Sequence, residues 1–469
     1  MHPSFRFLLL ILLLPASARA GLRAGAAVTS ITPPAGIPMA GYYHKRESTG
    51  VHDDLLARAL VLEEGGTKVA LVSLDLVSTR REFVVEARRL IAERSGIPAT
   101  NVMISATHTH TAPVLAGGRL YDTQGANEAL SVEYSRSLPA KIAASVAAAV
   151  AKLEPCEALA AEGTEAAITF NRRFHMEDGS VGWNPGKLNP RIIKPAGPID
   201  PAVPIVYLRR TDGRDPIAAY VNYSVHLDNV GGTLISADLP FTVSENLRAA
   251  LGDRLVTVYT SGACGDLNHI DVSWAEPQKG HGNAARMGTI LAAEVLKTMR
   301  HLTPVTGTLQ VKSRSVQLEL PEFDAETVTE SERTLATADD RSRTSFMRLV
   351  HAHKVLDVAE RAGKPFEVEV QVITLGSELA WIALPGEIFV ELGLDLKLDS
   401  PFEQTMVAEL ANGSIGYIPC SRAFRQGNYE VVSARCAKGS GERLVAAALD
   451  LLAECYASAT ASAAGEDSE

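Results

Sequence analysis

No CxxC pair and no Cys/His ribbon spacing occurs in this 469-residue chain, whose cysteines are Cys156, Cys264, Cys420, Cys436 and Cys455. A thiolate zinc ribbon is therefore excluded. The cysteine count is odd, so at least one thiol is free or paired between chains; Cys420 and Cys436 are spaced to close a local loop. Runs of basic residues are also missing, and the net charge is -10. Both features argue against a nucleic-acid partner. Past the N-terminus no apolar window is expected to serve as a transmembrane segment, which needs about 20 residues. Global disorder is excluded too, because 46% of the residues are hydrophobic and 21% charged.

What is present begins with an apolar leader. "FLLLILLLP" follows His2 and Arg6, and Ala18-Arg19-Ala20 precedes Gly21 as a small-x-small cleavage site. Residues 1–20 read as a secretory signal peptide, so the mature chain is expected to be secreted or periplasmic. Beyond it the pattern is strand, helix, strand. A hairpin over 58–76 turns at Gly65-Gly66, Thr79 and Glu82 form a capping box for a helix to Glu93, and "NVMISATHTH" is a strand. The expected class is α/β: mixed β-sheets covered by helices in a single large catalytic domain over 21–457. Residues 36–59 and the Pro/Gly-rich stretch 178–203 read as long loops. Further strands end at His226 and at Asp266, and helices are expected over 131–154, 283–300, from Glu387, and over 440–456. The segment 324–362 reads as a surface helical hairpin without function, and the tail 458–469 as disordered.

"SATHTHTAP" (105–113) carries two of the twelve histidines one residue apart. On an extended strand, i and i+2 face the same way, so His108 and His110 would share one space. Several strands end on reactive residues: His108 and His110, His226, Asp266, and Glu387 of "LPGE". Ends that converge at one sheet edge are how an α/β protein assembles a site. Two imidazoles, a carboxylate and an open position make a catalytic zinc site. Singly, each residue has a plainer reading: His226 as a strand-end histidine, Glu387 as a helix N-terminal acid, Asp266 as a turn residue.

"GIPMAGYYHKRESTGVHDDLLARA", "SATHTHTAP", the His226 strand followed by "ISADLP", "GACGDLN", "LPGE" and "NGSIGYIP" stand in the order found in neutral ceramidases. The chain resembles that family, exported zinc amidases, from about Gly21 to Ala457. The resemblance implies Zn²⁺ as cofactor, with His108, His226, Glu387 and Tyr417 as ligands. It further implies His110 as a second histidine handling protons or the oxyanion, Arg172 (or the adjacent Arg173) in the substrate pocket, and Tyr429 of "NYE" as a site tyrosine.

Two departures bear on mechanism. The family has a serine, a candidate nucleophile, where this chain has Asn268. An amide cannot accept an acyl group but can donate to an oxyanion. The simpler route is attack by zinc-activated water. The immunoglobulin-like domain that follows in the family has no counterpart in the fifty or so residues after Tyr417, which makes ceramide itself a doubtful substrate. The expected activity is thus exported, zinc-dependent cleavage of an amide (N-acyl) bond in a small-molecule or lipid-like substrate. The alternatives are a zinc hydrolase of another bond, such as an ester, and a metal-retaining binding protein without catalysis. Loops 114–130 and 178–203 hold the features that would separate the substrates.

Overall fold

Alternation along the strands builds the frame. In strand Leu56–Glu64, Ala57, Ala59 and Val61 face one core while Leu60 and Leu62 face another. Its neighbour Thr67–Leu74 repeats this, with Ala70, Val72 and Leu74 on one side and Val69 and Leu71 on the other. A strand apolar on both faces must be covered on both. The computed structural model describes residues 21–117, 127–213, 215–337 and 343–466. The expected signal peptide and part of loop 114–130 lie outside the described residues.

A large sheet runs in the order Val256–Ser261, Pro216–Tyr223, Ala202–Arg210, Glu154–Thr164, Arg23–Ser30, Leu56–Glu64, Thr67–Leu74, Val102–Ala106, with Thr303–Val305 also paired to Glu154–Thr164. A second sheet orders Leu309–Leu318, Phe366–Leu375, Leu379–Ala383, Gln404–Ala408. The sheets share a core in which Leu60, Leu71, Met103 and Val258 meet Ile373, Trp381 and Met406. Helices Arg81–Ser95 and Glu128–Val150 cover one half of the large sheet's outer face, and Leu239–Leu251 and His281–Thr298 the other. Val390–Asp399 and Ser440–Glu466 cover the second sheet. The result is four layers, helix–sheet–sheet–helix, as the expected mixed α/β class requires.

Only three of the ladder pairings within these sheets are parallel: Thr67–Leu74 with Val102–Ala106, Pro216–Tyr223 with Val256–Ser261, and Leu379–Ala383 with Gln404–Ala408. Each parallel pair needs a crossover, supplied by helices Arg81–Ser95, Leu239–Leu251 and Val390–Asp399. The histidine loop, His226 and Glu387 all follow the carboxyl ends of strands in these three units, where α/β sheets place ligands.

Several local expectations are corrected. The capping box fails: Arg80 is the N-cap residue, Thr79 is buried, and Glu82 pairs with Arg80 at 2.6 Å. Residues 178–203 are not simply loop. Val181–Trp183 and Ile192–Pro195 flank Arg173–Met176 in a three-stranded sheet whose short β-branched runs are hidden among Pro and Gly. The helix expected from Glu387 starts at Val390, because Glu387–Ile388 bridges Tyr417–Ile418 first. The last helix extends to Glu466 through most of the tail expected to be disordered. Over Ser440–Ala461 that helix is long and apolar enough to cross a membrane. The sequence reading missed this window; Leu444, Ala448, Leu451, Leu452 and Cys455 instead pack into the core beneath it. All five cysteines are buried and free, so Cys420 and Cys436 do not close a loop.

Trp381 is fully buried between the sheets, its ring edge-on to Tyr220 at 6.0 Å. Trp381→Ala is expected to cost about 3–5 kcal/mol, and Trp381→Phe much less. Equilibrium urea unfolding of the variants measures this.

Candidate metal centre

Strand Val102–Ala106 stops short of the histidines. Thr107 N and His108 N still donate to Leu74 O and Leu76 O (2.9 and 2.8 Å), but at His108 the backbone turns left-handed, with φ 75°. The turn, and not an extended i, i+2 pair, brings the two rings together. It costs on the order of 1 kcal/mol for a residue with a Cβ. Thr109 and Thr111 hold it in place, their hydroxyls both donating to Ser236 O at 2.7 and 2.9 Å. Gly41 packs so closely on His110 that a Cβ there would sit 2.7 Å from the His110 Cβ.

The Nε2 atoms of three histidines meet. His108 to His226 is 3.0 Å, His110 to His226 3.1 Å, and His108 to His110 3.3 Å. His108 Nδ1 lies 2.6 Å from Val77 O. A carbonyl only accepts, so Nδ1 carries the proton and Nε2 turns a lone pair inward. Burial pushes His110 down to about 3 and His226 well below the usual histidine range. Neutral imidazoles this close present lone pairs to one another unless a proton or a cation lies between them. Tetrahedral ligands of a zinc ion stand roughly 3.3 Å apart, the edge of a tetrahedron with 2.0–2.1 Å bonds. The triangle has that size.

Glu387 Oε2 lies 3.5 Å from His108 Nε2 and is buried without a hydrogen bond. Its neighbour is fixed by register: Glu387 and Tyr417 face each other across a two-residue parallel bridge. Gly265 N donates to Ile388 O at 2.8 Å, and a Cβ on Gly265 would lie 2.5 Å from Glu387 O. Asp266 accepts from Val390 N, and Glu409 accepts from Ile388 N, both at 2.8 Å. Burial raises these two carboxyls to about 6 and about 8. Asp266, offered by the sequence as a strand-end site residue, thus braces the loop that carries Glu387.

Arg172 Nη2 donates to Tyr417 Oη at 3.1 Å and to Gly265 O at 2.7 Å. Its Nε donates to Glu430 at 2.8 Å, and Arg173 Nη1 donates to the other Glu430 oxygen at 2.6 Å. The two arginines differ in reach: Arg172 touches Tyr417, while Arg173 continues to Gln426 and Gly427 O. Burial pushes the Tyr417 phenol well above its ordinary value, with Arg172 opposing. Tyr429 packs edge-on to Tyr417 (5.4 Å) and stacks on Trp183 (4.3 Å) and Phe346 (5.8 Å). Phe346 belongs to helix Arg343–Glu360, the hairpin the sequence reading set aside as functionless. Tyr417 and Tyr429 open onto a cavity of ≈ 640 Å³ whose lining also includes Tyr42, Tyr43, His108, His110, Glu387 and Arg435, with Arg361 and Lys364 at the hairpin side.

Asn268 is not brought into this group. Its Nδ2 donates to Asn184 Oδ1 (2.8 Å), its Oδ1 accepts from Ile270 N (3.0 Å), and it does not line the cavity. Strand Leu267–Asn268 pairs with Phe170–Asn171, which directs the amide into loop bracing and away from an oxyanion role. Sequence reasoning missed Asp228, Tyr42 and Glu430. Asp228 Oδ1 is 3.7 Å from His110 Nδ1, takes the hydroxyl of Tyr42, and pairs with Lys279 at 3.2 Å. Despite burial, His110 and Lys279 hold its carboxyl down to about 2. The i, i+2 spacing of His226 and Asp228 at a strand end was the available signal.

Residues 23–238 match the family model described as neutral/alkaline non-lysosomal ceramidase, N-terminal. The crystal structure of neutral ceramidase from Pseudomonas aeruginosa superposes with a TM-score of 0.70 at 20% identity, covering 92% of this chain and 75% of that one. A ceramidase complexed with C2 gives a TM-score of 0.70 at 19% identity, covering the same shares of the two chains, 92% and 75%. At that identity the likeness establishes the fold.

His269 is buried beside this cluster, and burial lowers it to about 4. A histidine depressed in the folded state contributes stability above its unfolded pKa of about 6.5, and loses it as pH falls toward the folded value. Metal-free wild type is expected to lose up to about 3 kcal/mol relative to His269→Gln between pH 7 and pH 4. Urea midpoints at the two pH values measure this; parallel curves would refute it.

Proposed function

We propose, from the match of residues 23–238 to the neutral/alkaline non-lysosomal ceramidase N-terminal model, that the protein is an exported zinc-dependent hydrolase cleaving the N-acyl bond of a small-molecule or lipid-like amide. The observation that carries the reading is the meeting of the Nε2 atoms of three buried histidines, with the unbonded Glu387 Oε2 3.5 Å from that of His108. His108, His226, Glu387 and Tyr417 would hold the ion, a donor set that favours zinc. When bound, zinc supplies a Lewis acid and a water acidic enough to react near neutral pH.

The chain's own residues supply the rest. His110 stands at the edge of the ligand set with Asp228 behind its Nδ1. Its Nε2 lone pair would accept a hydrogen bond from the attacking water and orient it. Arg172, held on Glu430, keeps a fixed positive charge behind the Tyr417 hydroxyl. Tyr43 and Tyr429, backed by Phe346 and Trp183, give the cavity an aromatic side for the acyl chain, and its volume suits a medium-sized ligand. Because the Asn268 amide cannot accept an acyl group, water would be the direct nucleophile. Export rests on the leader over residues 1–20.

The test uses mature protein from Gly21, His226→Ala and His110→Gln. About one zinc per chain should survive dialysis against a mild chelator in wild type and be lost in His226→Ala, together with hydrolysis of a short-chain fluorescent N-acyl amide. His110→Gln should keep the metal and lose about a hundredfold in kcat. Zinc without hydrolysis of any amide would favour a different bond or a binding role. A wild type that retains no zinc would sink the reading.

A further inference from the structure

The cavity over the candidate centre carries cations that the proposed hydrolysis does not use. Four basic side chains line it: Arg80, Arg361, Lys364 and Arg435. Two of them are paired. Arg435 Nε donates to Asp357 Oδ2 at 2.6 Å, and Arg80 Nε lies 2.6 Å from Glu82 Oε1. Arg361 and Lys364 have no carboxylate partner among the described residues. The carboxylates on the lining are Asp357, Glu360 and Glu387; Arg435 takes the first, and the last stands with the histidines.

The two unpaired cations share one tight turn. Helix Arg343–Glu360 runs into Ala362 and Gly363, both left-handed at φ 49° and 77°. The Arg361 side chain folds back over this turn. Its Nε donates to Lys364 O at 3.0 Å, its Nη2 donates to Pro365 O at 2.9 Å, and its Cζ lies 3.9 Å from the centroid of the Phe366 ring. The guanidinium is thereby fixed, while its Nη1 makes no hydrogen bond among the described residues. Lys364 is exposed beside it. A helix C-terminus attracts a cation, and Arg361 fills that role; Lys364 has no internal use of its own.

We propose that Arg361 and Lys364 bind an anionic group of the substrate, so that the preferred amides carry a carboxylate, sulfonate or phosphate in addition to the N-acyl bond. The inference rests on the hydrolase reading and narrows its substrate class. A guanidinium already held in place directs its free N–H at an oxyanion and loses little freedom on binding it. The lysine adds a second charge on a flexible stem. The chain as a whole has a net charge of -10 and repels anions, so cations left unpaired on a concave lining select the ligand locally. The hairpin that the sequence reading set aside as functionless thus ends in the element that sets specificity.

N-lauroylglycine and N-lauroylglycinamide differ by one charge and hardly in shape. Sebacic acid monobutylamide and its methyl ester make the same comparison with the charge on the acyl side. Wild type is expected to favour the acid of one pair by about tenfold in kcat/KM, expressed in KM. The preferred pair tells which end of the substrate faces the turn. Lys364→Gln should lower the ratio, Lys364→Glu should bring it to one or below, and added salt should weaken it. The Lys364 side chain holds nothing together, so these variants keep the fold. Titration calorimetry of the same pairs on His226→Ala reads binding without turnover and without the metal centre. The acid should again bind about tenfold more tightly, and Lys364→Glu in that background should abolish the difference. Such a binding preference with no hydrolysis by wild type would support this site and count against the hydrolase reading. No preference for either acid in either assay, or a preference that Lys364→Glu leaves intact, would overturn the proposal.

Discussion

Three imidazole nitrogens held within 3.3 Å of one another are the constraint around which the molecule is arranged. Three imidazole nitrogens cannot all be satisfied at such distances without a cation or added proton among them, and burial keeps His110 and His226 from taking up charge. The surroundings answer that constraint. A left-handed His108 is accepted, two threonine hydroxyls clamp its loop, and a glycine at position 41 leaves room for His110. Strain of this kind persists where packing over-determines it.

Charge is managed in the same way on the opposite wall. Glu430 is fully buried yet accepts from both Arg172 and Arg173, so a carboxylate and two guanidinium groups satisfy each other away from water. Breaking such a buried group by removing one member costs far more than its net worth, because the remaining charges stay buried. Its benefit here is positional. Arg172 cannot swing, and its distance to the Tyr417 hydroxyl is set by Glu430 and Gly265 O.

The sequence disclosed the frame and the ends of the strands. Periodicity located the strands on either side of helix Arg81–Ser95, and strand-end position singled out His108, His110, His226 and Glu387 before any family likeness was invoked. Tyr417 needed the family, because nothing local distinguishes it from a core tyrosine; its place opposite Glu387 is a fact of register between segments thirty residues apart. Asp228, Glu430 and Phe346 were beyond reach for a related reason. Each acts through a partner distant in sequence, and its placement depends on tertiary packing. The capping box at Thr79 and Glu82 failed because tertiary packing buried the threonine, and Asn268 was misplaced because strand pairing with Phe170–Asn171 decided where its amide points.

The donors of the candidate metal centre are divided between the two sheets, so its geometry depends on how the sheets are joined. The histidines follow strands of the large sheet; Glu387 follows Leu379–Ala383 of the second. Apolar packing alone fixes such a stack only loosely, because dispersion and burial are non-directional. Hydrogen bonds supply the registration. Ala106 N donates to Leu410 O at 3.2 Å, Asn412 N donates to Ile104 O at 2.7 Å, and the Asn412 side chain accepts from Ile104 N at 3.0 Å. Asn412, itself left-handed at φ 59°, thus stitches the strand that leads into the histidines to the segment that follows Gln404–Ala408. Leu410 N donates in turn to Gly386 O at 3.0 Å, one residue before Glu387. A continuous run of directional bonds therefore links the backbone behind His108 to the backbone behind Glu387, and the 3.5 Å between their donor atoms is a property of that run as much as of the two side chains.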